Sequence, residues 1–140
     1  DDEVTFETRS NTFGDTIMTL DTNIVHFKVR AEQDAMIRLN KHGNIDDYIL
    51  LTLGEDGTNA SSIVRNGGEP VNFEISNGLS EEEDQPFWIS IRSDSIGVGE
   101  GEFGTTRIAT LSASDAEEFS VMTFSTNETT GRWTLKKYLG

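Results

Sequence analysis

The stretch Gly97-Val98-Gly99-Glu100-Gly101-Glu102-Phe103-Gly104 contains both G-x-G-x-G and G-x-G-x-x-G spacings. Such glycines can lead into a helix whose free backbone N–H groups hold a phosphate or a cofactor carboxylate. Two features point elsewhere. Thr105 to Leu111 reads as strand rather than helix, and Glu100 and Glu102 place negative charge where an anionic cofactor would need donors. The stretch therefore reads as a glycine-rich strand end and hairpin turn. His26 and His42 are the only histidines, and neither has another at i+2 or i+4. They read as exposed side chains rather than as zinc ligands or a general base. No G-x-S-x-G nucleophile elbow is present. The 25 acidic residues supply carboxylate pairs only by accident of number. Asp46-Asp47, Glu55-Asp56-Gly57 and Glu81 to Asp84 offer the oxygen ligands calcium takes, but without a D-x-D-x-D-G loop they read first as solvated loops. No catalytic residue and no metal ligand is assigned.

The elements around these residues are strands. Thr, Ile and Val contribute 34 β-branched residues against 6 Ala, and β-branched side chains suit a pleated surface better than a helix. Val25, Phe27 and Val29 alternate with His26, Lys28 and Arg30, and Ala35 to Leu39 alternates again before a turn at Lys41-His42-Gly43-Asn44. Val4 and Phe6, Ile17 to Leu20, Tyr48 to Leu53, Ser61 to Arg65, Val71 to Ile75, Phe87 to Ile91, Ile108 to Leu111, Phe119 to Phe124 and Trp133 to Leu135 are further strand candidates. Turn chemistry at Gly54-Glu55-Asp56-Gly57, Asn66-Gly67-Gly68, Asn77-Gly78 and Ser93-Asp94-Ser95 punctuates them. The one helix-like window, Ser112 to Glu118, is short enough to be a single turn. This spacing predicts a single all-β domain over residues 1–140, an antiparallel two-sheet β-sandwich of jelly-roll type. Alternation places Phe27, Val29, Ile37, Leu39, Leu51, Ile89, Ile91, Val121 and Trp133 in its core.

Eleven Lys and Arg against 25 Asp and Glu give a net charge of −14. That balance repels nucleic acid and anionic membrane surfaces, so neither is an expected partner. The absence of Cys excludes disulfides and thiolate chemistry. The chain begins with Asp1 and carries no charged-then-apolar leader, which reads as a mature product or a trimmed chain. Asn59-Ala60-Ser61 and Asn127-Glu128-Thr129 are N-glycosylation sequons, making Asn59 and Asn127 candidate acceptors in an extracellular, secreted protein.

From Ile24 onward the chain resembles the farnesoic acid O-methyltransferase domain family. The resemblance rests on Phe27-Lys28-Val29-Arg30-Ala31, Asp34 to Leu39, Gly57 to Arg65, Pro86-Phe87-Trp88-Ile89-Ser90, Ile96 to Gly101 and Gly131-Arg132-Trp133. It departs from the pattern at Ile91, where an aromatic is expected, and in having no Cys. The family name implies methyl transfer to an isoprenoid acid, while the module itself resembles lectin-like and ligand-binding modules of secreted animal proteins. Three functions follow. The first is a non-catalytic carrier of an apolar isoprenoid, a terpenoid or carotenoid, favoured by 8 Phe against 2 Trp and 2 Tyr. The second is a carbohydrate-binding module, for which Asn59, Arg65, Asp94 and Trp88 are the first candidates. Methyl transfer ranks last, for want of a nucleotide-fold pattern. Consecutive apolar residues at Phe87-Trp88-Ile89 require one of Phe87 and Trp88 to face away from the main core. It meets either other protein or a ligand or a second copy of the chain, so a homo-oligomer is expected. Trp133 and Tyr138 present the same choice. The expected ligand wall is Phe87, Trp88 and Trp133, with Arg65, Asn59 and Ser62 for polar ends.

Overall fold

The computed structural model describes residues 3–9, 13, 17–19, 23–101 and 106–137. Tyr138 and the final glycine of the glycine-rich stretch, Gly104, lie outside them. The chain forms strands β1 (Glu3–Thr8), β2 (Ile17–Thr19), β3 (Ile24–Ala31), β4 (Ala35–Lys41), β5 (Asn44–Leu53), β6 (Ala60–Arg65), β7 (Val71–Glu74), β8 (Gln85–Ile91), β9 (Ser95–Glu100), β10 (Thr106–Ser112), β11 (Phe119–Thr126) and β12 (Gly131–Lys137). They pair antiparallel in two six-stranded sheets, the first in the order β1-β12-β3-β8-β9-β10 and the second in the order β2-β11-β4-β5-β6-β7. This is the antiparallel jelly-roll sandwich that the alternation implies. Single 3₁₀ turns at Glu55–Gly57 and Ala116–Glu118 are the helical pieces among the described residues.

Alternation puts Val25, Phe27 and Val29 of β3, Ile37 and Leu39 of β4, and Ile49, Leu51 and Leu53 of β5 between the sheets. Trp133 sits at the centre, with ring centroids 5.8 Å from Phe27 and 5.0 Å from Phe124, while Phe27 stacks on Phe87 at 5.6 Å. Its indole N–H donates to the Thr8 hydroxyl at 3.0 Å, and Thr8 lies 3.2 Å from the hydroxyl of Thr126. A buried N–H without such a partner would cost about 1–3 kcal/mol.

Two local expectations change. Val121 is only half-buried, and Met122 takes the core position instead. The pairing of β11 with β4 slips between Phe119 and Val121, so the inward alternation resumes at Met122 and Phe124. Ser95–Glu100 is a full strand rather than a strand end and turn. It pairs with β8 on one side and β10 on the other.

Candidate functional site

The outer face of the first sheet carries the side chains that the core does not use. Along β8 the inward positions are Phe87, Ile89 and Ile91, leaving Pro86, Trp88 and Ser90 outward. In β9 the outward positions opposite Trp88 and Ser90 are Gly99 and Gly97. Trp88 lies flat against Gly99, where any β-carbon would overlap its indole. The Arg107 guanidinium of β10 stands over the ring, 5.9 Å from its centroid, within cation–π range. The glycine spacing that suggests a cofactor loop is thus a slot for an indole. Gly101 leads towards β10, a strand, and the Glu100 carboxylate accepts hydrogen bonds from the Ser76 N–H at 2.7 Å and its hydroxyl at 2.8 Å.

Two clefts lie beside β8, one on this face and one at its β8–β9 turn end. One, of about 100 Å³, is lined by Glu3, His26, Lys28, Phe87, Thr134 and Lys136 among others. The other, of about 380 Å³ and open to solvent, is lined by Asn23, Ser90, Arg92, Ser93, Asp94 and Glu117. Ser90 forms its floor. The residue is 2% exposed and its hydroxyl has no hydrogen-bond partner in the protein. A β-carbon on Gly97 would come within 2.7 Å of that hydroxyl and 3.4 Å of the Arg107 guanidinium, so glycine there makes room for both side chains. Buried hydroxyls are normally satisfied by protein, water or ligand.

The structure disperses the six expected ligand residues. Trp133 belongs to the core, while Phe87 is a core residue that also lines the smaller cleft. Trp88 is on the outer face but is itself covered. Ser62 lies on the outer face of the second sheet, in a row with Thr52 and Asn72. Asn59 is exposed in the loop before β6, where its carbonyl accepts from the Ile75 N–H at 3.0 Å. Of the saccharide candidates, Asp94 joins Trp88 on the first sheet, at the rim of the larger cleft. Asn127, the second sequon position, bonds the buried Asp34 carboxylate through its amide at 3.4 Å. His26 lines the smaller cleft, and no group of three metal-ligating side chains occurs among the described residues.

Arg65 is committed to a separate cluster at one end of the second sheet. It bonds both oxygens of Asp115 at 2.7 Å each and both oxygens of Asp47 at 3.2 and 2.9 Å. Lys41 bridges the same two carboxylates at 2.7 and 3.1 Å, and both cations stand over the Phe119 ring. Hydrogen bonds from Arg65, then from Lys41, hold the Asp115 carboxyl well below the usual carboxylate range. The Arg65 bonds likewise lower Asp47 against the opposing effect of its desolvation. A set of charges so closely paired ties β4, β5 and β6 to the turn before β11.

Sequence reasoning missed Ser90 and Arg107. Ser90 shares the outward phase of Trp88 two residues away, which the alternation of β8 already contained. Arg107 could be placed over Trp88 only once β10 was paired to β9.

A family model described as farnesoic acid O-methyl transferase matches residues 3–139. No protein of curated function matches the chain by sequence. Among solved structures, a galectin of Caenorhabditis elegans superposes with a TM-score of 0.60 at 8% identity, over 95% of this chain and 96% of its own. A Bacillus licheniformis β-glucanase superposes with a TM-score of 0.59 at 10% identity, over 98% of this chain and 79% of its own. Exo-inulinase from Aspergillus awamori reaches 0.68 at 12% identity over 99% of this chain, which spans only 29% of the enzyme. At these identities the likeness is one of fold.

Proposed function

The chain belongs to the farnesoic acid O-methyltransferase domain family, and from that premise and the geometry we propose that it is a secreted, non-catalytic carbohydrate-binding module whose site is the outer face of the first sheet. The observation that carries the reading is Ser90, a buried hydroxyl without a protein partner, in a cleft lined by Asn, Ser, Arg, Asp and Glu side chains together with Ile24 and Ile91. Such a set donates and accepts hydrogen bonds at short range, as a hydroxyl-rich ligand requires. The galectin and glucanase folds support a saccharide as the ligand class.

The non-catalytic part rests on two features. The glycine stretch is strand and indole slot. The two carboxyls whose acidity is displaced, Asp47 and Asp115, are held low and ionised, the opposite of what a general acid needs. The isoprenoid carrier has less support. Ring contacts among Phe27, Phe87, Phe124 and Trp133 fill the space between the sheets, and an elongated apolar ligand would have to displace them or lie between protomers.

The test is a glycan panel on protein secreted from animal cells, run beside organic-solvent extraction of the same sample. Binding to a defined glycan with a colourless extract supports the reading. A visible absorbance band and an extracted isoprenoid, with no glycan bound, would return the case to the carrier. Turnover of S-adenosylmethionine would overturn both.

A further inference from the structure

The charge on the proposed binding face runs against the charge of the molecule. The whole chain carries −14. Yet five of its eleven Lys and Arg project from the outer face of the first sheet: Lys28 and Arg30 on β3, Arg107 on β10, and Arg132 and Lys136 on β12. The strands of this face carry fewer carboxylates among the described residues, while at the larger cleft Arg92 stands with Asp94 and Glu117. Glu3 and Glu7 on β1 stand opposite Lys136 and Arg132, and Asp84 accepts from Arg30 at 3.1 Å.

The arrangement is not one that folding favours. Arg30 and Arg132 are directly opposite across the β3–β12 pair, as are His26 and Lys136. Like charges directly opposite, here Arg30 and Arg132, destabilise an antiparallel pair. The Thr134 and Lys28 pair between them opens on the cleft of about 100 Å³. That volume equals about three waters, the size of a sulfate or carboxylate group.

From these observations, and resting on the saccharide reading above, we infer that the ligand is an anionic glycan, its sulfate or carboxylate groups taken by Lys28 and Lys136 in the small cleft, by Arg132 further along β12 and by Arg107 across the sheet on β10. A chain of repeated charges fits better than a single acidic head group, because the cations are spread across strands spaced about 4.8 Å apart. The −14 of the whole molecule does not forbid this. Packed sheets lie about 10 Å apart, and at physiological salt charges separated by more than about 8 Å are largely screened.

The experiment titrates the full chain with a heparin hexasaccharide, with neutral maltohexaose, with a DNA oligonucleotide of equal charge and with farnesoic acid. It is repeated from about 0.1 M to about 1 M salt, where the screening length shrinks from about 10 Å to about 3 Å. The expected result is tightest binding of the heparin hexasaccharide, weakening at least about tenfold over that range. The variant Lys28→Gln/Arg132→Gln should lose about tenfold in affinity, equal to about 1.4 kcal/mol. Both side chains are exposed and Arg132 faces Arg30, so its melting temperature should not fall. Arg38→Gln, on the second sheet, is the control that retains binding. Salt-insensitive binding of maltohexaose alone would overturn this inference and leave the saccharide reading standing. Equal binding of DNA would overturn the assignment of a glycan to the strip. Heparin binding indifferent to the double variant would overturn the site. Binding of farnesoic acid and of no glycan in the wider panel would overturn both readings.

Discussion

Trp88 and Gly99 form one structural unit: the indole occupies the space above Gly99 that any side chain would need. Gly99 faces outward from β9, and the neighbouring outward position, Gly97, leaves room for the Ser90 hydroxyl in the same way. The pair lowers the floor of the sheet beside β8 and creates the ground on which the proposed site stands.

Gly99→Ala should therefore destabilise the protein by about 1–3 kcal/mol, the usual cost of forcing extra volume into a filled space. Denaturant unfolding measures the loss, and Trp fluorescence should shift towards the red as the indole is displaced. Wild-type stability in this variant would show that the slot has slack.

Acid should loosen the second sheet at its Arg65 end. Asp47 and Asp115 have folded-state pKa values below their ordinary 3.8, chiefly through hydrogen bonds from Arg65. A carboxyl lowered on folding adds stability above its unfolded pKa, and that stability is lost as pH falls through the folded value. Melting temperature should thus drop as pH falls below about 4. Asp115→Asn should flatten that slope while lowering the melting temperature at pH 7. An unchanged acid slope would mean that the cluster does not couple to folding.

The register slip in β11 predicts an asymmetry between neighbours. Met122 is fully buried and Val121 is not. Met122→Ala should cost about 2–5 kcal/mol, as a buried large-to-small change does. Val121→Ala should cost less than about 1 kcal/mol, nearer to a surface change. Chemical denaturation of the two variants decides it, and a reversed order would place Val121 in the core.

Most of the fold was legible because the strands alternate. Val25 to Arg30 and Ala35 to Leu39 announce which face is buried residue by residue, and eight of the nine expected core residues lie there. Val121 failed because a slip in pairing leaves no mark on local alternation. β9 was under-read because Gly97 and Gly99 have no side chains to show a phase. The site was less legible than the fold. Trp88 and Asp94 were visible as candidates, but Trp133 is aromatic for the sake of the core and Phe87 serves the core while lining the smaller cleft. Arg65, which looks like a ligand cation in sequence, is held by Asp47 and Asp115 from strands and turns distant along the chain. Long-range pairing decides such cases, and composition carries no trace of it.

Ser90→Ala tests the central claim most directly, because structure and function predict opposite signs. Removing a buried hydroxyl that has no protein partner should leave the unliganded protein as stable as before, or more stable by about 1 kcal/mol. If Ser90 holds a ligand hydroxyl, the same change should weaken binding of the oligosaccharide selected on the glycan panel about tenfold, read by calorimetric titration. Retained stability with lost affinity is the predicted result. Unchanged affinity would contradict the placement of a saccharide on this face of the first sheet.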